Sequence, residues 1–299
     1  MENFILIIAF ILVGMGLRRI PQFPDNSAQV LNLFVIYVSL PALVLLKVPE
    51  LSFSRALLVP ALMPWVMLFF SAGIIIGLSR IFEWDRETIG ALLLLVPLGN
   101  TSFLGIPMVQ VFFGEKGIPY AVLYDQLGSF LALATYGSAV IAIYGQGDDE
   151  PTLNSVVKRI CIFPPFISLL VALALHSVSL PDSFVFLLET LAGTLVPVVM
   201  IAVGFQLTLR LSSDVLKPMA AGLMVKLLLA PCLAFILCRA LGLNGIATQV
   251  SVFEAGMPPM VSAGAMAIMA GLSPKLTAAM VGFGMFISFF TLPLLFKIL

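Results

Sequence analysis

Long apolar runs, separated by short clusters of charged and polar residues, dominate the chain. A helix needs about 20 mainly apolar residues to cross the hydrocarbon core of a bilayer. Runs of this length differ from the short alternating strands of β-barrel membrane proteins. We therefore predict an all-α polytopic membrane protein with ten spans, at 3–20, 27–47, 56–80, 88–112, 119–144, 159–178, 184–209, 215–239, 245–270 and 275–297.

The composition agrees with this pattern and excludes several other classes of protein. Of the 299 residues, 61% are apolar and 10% are charged, whereas a soluble domain has about 25% charged residues. Fifteen basic and 15 acidic residues balance, which leaves no basic surface for nucleic acid. A single histidine and three scattered cysteines cannot form a His/Cys metal site or a disulfide framework. We expect no metal, no cofactor and no enzymatic activity.

The basic residues predict how the chain is oriented. Alternating the connectors between two faces puts five basic residues on one face, at Lys47, Arg55, Lys116, Arg239 and Lys297. Nine lie on the other face, at Arg18, Arg19, Arg80, Arg86, Lys158, Arg159, Arg210, Lys217 and Lys275. The richer face is expected in the cytoplasm, so we predict both termini outside it.

Landmark residues recur at a nearly constant spacing. Four pairs, in chain order, are 156 to 158 residues apart: Pro41 and Pro197, Pro60 and Pro218, Gly99 and Gly256, and Gly114 and Gly271. Each half then has five spans, and an odd number inverts the second half. We predict a first five-helix repeat over 1–144, a cytoplasmic linker over 145–158 and an inverted repeat over 159–299. Secondary transporters have this architecture; a duplicated channel or receptor is the alternative.

The fourth and ninth spans contain helix breakers in corresponding positions. The fourth reads VPLGNTSFLGIP over 96–107, and the ninth reads FEAGMPPM over 253–260. Proline removes an amide donor and glycine tolerates unwound backbone, so both helices are expected to break and cross. Half-helix N-termini would then present free amides to an anion; simple kinks are the alternative. The predicted substrate-binding residues are Asn100, Thr101, Ser102, Pro107, Gly256, Met257, Pro258 and Pro259.

Ionisable residues inside a membrane span are functional candidates. Glu254 adjoins the second break, where a buried carboxyl could act as a protonatable switch. Lys226 lies in the middle of the eighth span, and Asp125 and Gln126 lie in the fifth. We expect these four residues to have a coupling or ion-binding role. The alternative for Asp125 and Lys226 is a buried ion pair that only fixes packing.

Three segments carry a family resemblance. NLFVIYVSLPALVL over 32–45, GNTSFLGIP over 99–107 and GMPP over 256–259 resemble motifs of the auxin efflux carrier family in the second, fourth and ninth helices. The resemblance covers the whole chain in order. Plant members have a long cytosolic loop between spans five and six, so this chain resembles a compact, bacterial-type member. The resemblance therefore implies a location in a bacterial plasma (inner) membrane.

The resemblance implies a fold and a class of substrate. The fold is that of the bile-acid/sodium symporters: ten helices, usually a dimer, with crossing helices 4 and 9. Helices 1, 2, 6 and 7 would form a scaffold, and helices 3–5 and 8–10 a mobile transport unit. The substrates would be small carboxylates such as malate, malonate or auxin.

The leading hypothesis is a secondary transporter of a small organic anion that works by alternating access, in an elevator manner. The chain has no Walker motif, so ATP would not drive it directly. Proton or sodium coupling is open, and a sodium-coupled symporter of bile-acid type is the nearest alternative. A membrane sensor that binds a ligand without moving it also remains. An intramembrane protease using Ser102 and His176 is the weakest hypothesis, because the sequence shows no recognisable geometry of a base and an orienting residue around the nucleophile.

Overall fold

The chain folds almost entirely into helices. A computed structural model describes residues 2–51, 55–146, 153–175, 180–207, 212 and 215–299. Its helical segments are α1 (Glu2–Leu17), α2 (Ser27–Lys47), α3 (Arg55–Phe82), α4 (Arg86–Leu95), α5 (Thr101–Phe113), α6 (Glu115–Tyr144), α7 (Leu153–Ile162), α8 (Pro164–Ala174), α9 (Asp182–Gln206), α10 (Leu216–Ala240), α11 (Ile246–Ala255), α12 (Val261–Met269) and α13 (Pro274–Ile298).

Six of the described helices are long and apolar enough to cross a membrane, namely α2, α3, α6, α9, α10 and α13. Shorter apolar helices lie at Ile5–Leu17, α5 and α8. The chain is therefore a helical, multi-pass membrane protein, and its helices begin and end close to the predicted spans. The count of ten crossings and the inverted repeat stay predictions.

The predicted sixth span differs most from the structure. Helix α7 begins at Leu153, inside the predicted linker, and ends at Ile162 before α8 begins at Pro164. Phe163 between them is extended, with φ −68° and ψ 116°, because a residue that precedes proline is driven out of the α region. Residues 147–152 of the predicted linker lie outside the described residues, as does His176.

The helices pack in two groups. Helix α1 packs along the second half of α9, and α2 packs against α8 and α9; Ser39 and Thr194 share a hydrogen bond of 2.7 Å between α2 and α9. Helices α3, α4, α6 and α10–α13 contact mainly one another. In that second group the Tyr136 hydroxyl donates to the Leu93 carbonyl at 2.9 Å, which satisfies an otherwise free carbonyl in the last turn of α4.

Two glycines set the distance between α1 and α9. A Cβ added to Gly14 would overlap the backbone carbonyl of Ile201, and one added to Gly204 would overlap the carbonyl of Ile11. The two backbones are therefore in direct contact at both points. Small residues allow such close approach of membrane helices, and van der Waals packing then holds the pair together.

We expect Gly14→Ala to force α1 away from α9 and to lower the free energy of unfolding by about 1–3 kcal/mol. The matched control is Gly16→Ala on the same helix, where an added Cβ meets nothing within 4 Å. That control should leave stability unchanged or raise it by up to about 1 kcal/mol. Thermal unfolding of the purified variants in detergent measures both effects, and equal melting temperatures for the two variants would contradict the close-packing account.

Candidate functional site

The two interruptions lie side by side and complete each other's hydrogen bonding. Helix α4 ends at Leu95 and α5 begins at Thr101, while α11 ends at Ala255 and α12 begins at Val261. The Asn100 N–H donates to the Pro258 carbonyl at 2.8 Å, and the Met260 N–H donates to the Leu98 carbonyl at 3.0 Å. Gly99 and Pro259 thereby form an isolated antiparallel β-bridge. Unwound backbone at membrane depth is tolerated where protein surrounds it. Here each interruption provides a hydrogen-bond acceptor for a backbone amide of the other.

One cavity, of about 100 Å³, lies at the starts of α5 and α12, and we call it the Asn100 cavity. Its lining residues are Ile36, Leu40, Asn100, Ser102, Phe103, Asp125, Phe130, Leu133, Phe163, Met260 and Ser262. Asn100 is only 1% exposed, and neither its amide oxygen nor its amide nitrogen has a hydrogen-bond partner. An unpartnered buried amide is costly, so this side chain is the first candidate for contact with a ligand.

Asp125 is fully buried in α6 and accepts three hydrogen bonds. Thr101 Oγ1 and Ser102 Oγ donate to its Oδ1 at 2.6 and 2.5 Å, and Gln126 Nε2 donates to its Oδ2 at 2.6 Å. The carboxyl group therefore ties α6 to the first turn of α5. Asp125 and Lys226, both described residues, form no ion pair within 4.0 Å. The buried Asp125–Lys226 pair, considered as an alternative from the sequence, is not formed.

A second, smaller cavity of about 10 Å³ lies at the ends of α4 and α11, and we call it the Lys226 cavity. Its lining residues are Pro64, Leu68, Pro97, Leu98, Gly99, Thr101, Tyr124, Ser129, Ala132, Lys226 and Glu254. Glu254 is fully buried, and neither carboxyl oxygen has a hydrogen-bond partner. A Cβ added to Gly105 would overlap both of those oxygens, so the carboxyl lies directly against the backbone of α5.

The other sequence-predicted residues have different places. Pro258 and Pro259 belong to the paired backbone, while Gly256 and Met257 precede it, between α11 and α12. Pro107 lies within α5, and Gln126 orients Asp125 rather than lining either cavity. The predicted set thus divides into cavity-lining side chains and residues that shape the interruption.

Several lining residues were missed from the sequence. Ser262 comes three residues after Pro259, as Ser102 comes three residues after Gly99, but their spacing of 160 residues lies outside the 156 to 158 of the landmark pairs, so that spacing did not indicate Ser262. Phe130 and Phe163 stack with ring centroids 4.0 Å apart and close one side of the Asn100 cavity, but phenylalanine is common in this chain and gave no signal. Among the described residues, no cluster of three His, Cys, Asp or Glu side chains could hold a metal ion.

Comparison with known proteins shows the family to which the chain belongs. Residues 1–296 match the family described as "Membrane transport protein", which is the auxin efflux carrier family. The chain belongs to this family of membrane transporters.

Three relatives resemble this chain over most of its length. An uncharacterized transporter of Methanocaldococcus jannaschii is 27% identical over 270 residues, covering 86% of this chain and 85% of the relative. An uncharacterized transporter of Methanothermobacter thermautotrophicus is 26% identical over 297 residues, covering 98% and 96%. A Rhizobium meliloti protein named "Putative malonate transporter" is 25% identical over 266 residues, covering 83% and 79%.

We expect Gly105→Ala to displace the Glu254 carboxyl and to lower the free energy of unfolding by about 1–3 kcal/mol. Combining it with Glu254→Ala removes the overlap, so the two effects should fall short of additivity by about 0.5–3 kcal/mol. Unfolding of the two single variants and the double variant gives this coupling energy.

The matched control replaces Gly77 in α3, where an added Cβ meets nothing within 4 Å. Gly77→Ala and Glu254→Ala should be additive. Additivity of Gly105→Ala with Glu254→Ala would mean that the two residues are not in contact.

Proposed function

We propose that this protein is a secondary transporter of a small organic anion, whose carboxylate binds in the Asn100 cavity. The observation that carries the proposal is the buried Asn100 amide, unpartnered at both polar atoms, where two helices begin. Ser262 lines the same cavity and adds a hydroxyl donor, while the Ser102 hydroxyl, also in the lining, already donates to Asp125. An ionised carboxylate accepts several hydrogen bonds at once, so it would satisfy the Asn100 Nδ2 group and the Ser262 hydroxyl.

The helix ends favour the same ligand charge. In α5 the first amide bonded to a helix carbonyl or N-cap carbonyl is that of Leu104, and in α12 it is that of Gly264. The preceding first-turn amides have no intrahelical acceptor, and the helix dipole places partial positive charge there. Broken transporter helices hold substrate carboxylates in this way.

The volume and the lining of the Asn100 cavity limit the size and the polarity of the substrate that could bind there. A volume of about 100 Å³ suits a compact acid of the size of malonate or malate, and one relative bears a malonate transporter's name. Much of the wall is apolar, and Phe103, Phe130 and Phe163 line it together with the polar groups. An auxin-like acid, with one carboxylate and an apolar body, would match the mixed polar and apolar lining but is larger than malonate or malate.

Transport would proceed by alternating access of an elevator type. We propose ten crossings as two inverted repeats, 1–144 and 159–299, because the interruptions recur in corresponding positions of the two halves. The group of α1, α2, α8 and α9 would be the scaffold, and α3–α6 with α10–α13 the mobile unit. The Asn100 cavity lies between them, since Ile36 and Leu40 come from α2. A homodimer in a plasma membrane, with both termini outside the cytoplasm, completes the proposal.

Coupling would use the buried acids. Glu254, with no donor on either oxygen, can take up and release a proton during the cycle. Asp125, with Gln126, links the first turn of α5 to α6 and would transmit substrate binding to the mobile unit. Sodium coupling is the alternative. The charged side chains that line the Lys226 cavity are relevant to whether a sodium ion can bind there.

Proteoliposome uptake of small mono- and dicarboxylates tests the function. We expect saturable uptake of at least one carboxylate that responds to an imposed pH gradient. Tight binding without any flux would contradict transport and favour a membrane sensor. Uptake that requires a sodium gradient would favour the symporter alternative.

For Asn100→Ala we expect the dissociation constant of the transported carboxylate to rise about tenfold to a hundredfold. The loss of one hydrogen bond to a charged group costs about 1.5–3 kcal/mol, and each 1.4 kcal/mol is a factor of ten. Ligand titration of the purified variant measures the change, with Asn154→Ala at an exposed position of α7 as control. Unchanged affinity in Asn100→Ala would rule out this side chain as a substrate ligand.

A further inference from the structure

Lys226 occupies an unusual position for a lysine. It is 4% exposed and is the one buried basic side chain in the described part of the chain. It lies in the middle of α10, within a π-helical segment over Val225–Leu229. The middle of a membrane-spanning helix is far from the membrane surface, and a charged group placed there is energetically costly. A lysine in such a position is therefore a functional candidate. π-helical segments often occur at functional sites.

The ammonium group of Lys226 reaches the paired interruption. A Cβ added to Gly99 would lie 3.0 Å from Lys226 Nζ and 3.5 Å from Cε. Gly99 follows the C-terminal end of α4, and Glu254 lies in the last turn of α11. Helix C-termini have partial negative charge and free carbonyls, so this side of the interruption favours a cation. The Asn100 cavity lies at the two N-termini, where the partial charge is positive.

The Lys226 cavity contains one acid and one base. Of the side chains that line it, those from α3 are Pro64 and Leu68, and α6 contributes the uncharged Tyr124, Ser129 and Ala132. Glu254 from α11 and Lys226 from α10 are the charged members, and they form no ion pair within 4.0 Å. The remaining space of about 10 Å³ is close to that of a single water. The Lys226 ammonium is therefore the one cationic group among the side chains that line this cavity with the Glu254 carboxyl.

We propose that the Lys226 ammonium is a built-in cation of this cavity, which takes the place that a coupling sodium ion would otherwise occupy. The carrier is then independent of sodium, and removal of the lysine converts the cavity into a sodium site formed by Glu254 and the helix-end carbonyls. This inference rests on the proposed function for its role in transport. The cation site itself is testable without any substrate.

The experiment compares melting temperatures of the purified full-length protein in sodium chloride and in choline chloride of equal ionic strength. The wild-type protein should melt at the same temperature in both salts. Lys226→Ala should melt lower in choline chloride and regain about 5 °C or more in saturating sodium chloride, because an ion bound only to the folded state stabilises it. Lys226→Ala with Glu254→Gln should lose this sodium response.

Lys217→Gln, at an exposed position near the start of α10, is the control and should behave as the wild-type protein does in both salts. A sodium-specific rise in the melting temperature of the wild-type protein would overturn the proposal, because the cavity would then already accept an external ion. Equal melting of Lys226→Ala in the two salts would also overturn it, as would failure of that variant to fold in high sodium chloride. Absence of carboxylate flux in proteoliposomes would instead count against the proposed transport function and leave the salt comparison intact.

Discussion

A helix broken inside a membrane must still satisfy its backbone amides and carbonyls. In this protein two breaks meet that requirement together, through the Asn100 amide on the Pro258 carbonyl and the Met260 amide on the Leu98 carbonyl. The β-bridge at Gly99 and Pro259 brings four half-helix ends to one place. Both cavities, and every charged residue of the candidate site, are arranged around that junction.

The junction separates helix ends of opposite polarity. The starts of α5 and α12 face the Asn100 cavity, and the ends of α4 and α11 adjoin the Lys226 cavity. Partial positive charge therefore lies on one side and partial negative charge on the other. The side chains follow this division, since the unpartnered Asn100 amide lies with the N-termini and the Lys226 ammonium with the C-termini. Thr101 connects the two sides, because it lines the Lys226 cavity and donates to Asp125, which lines the other.

The sequence predicted the helices and the breaks because both depend on local chemistry. Apolar run length gave the spans, and the residues around Pro97 and Pro258 indicated where helix could not continue. The membership in the auxin efflux carrier family, inferred from three motifs, is confirmed. The start of α7 at Leu153 was not predicted. The segment is amphipathic and contains Lys158, so a criterion based on apolar runs assigns it to a connector.

Tertiary arrangement was beyond what the sequence pattern could specify. The partners of Asp125 depend on how α6 packs against α5, and three donors rather than Lys226 surround it. The aromatic wall of the Asn100 cavity comes from separate elements that only the folded chain brings together. The sequence also does not indicate that the missing side chain of Gly105 leaves room for the Glu254 carboxyl.

Binding of a carboxylate and of its uncharged methyl ester by the purified protein tests most directly whether the paired helix N-termini form an anion site. Calorimetric titration should detect binding of a small acid such as malonate or an aromatic monocarboxylate, and at least a hundredfold weaker binding of the corresponding ester. The reason is that a hydrogen bond to a charged acceptor is worth about 1.5–3 kcal/mol and several would be lost together. Equal affinity for an acid and its ester would contradict the account, because the site would then recognise the apolar body of the ligand and not its charge.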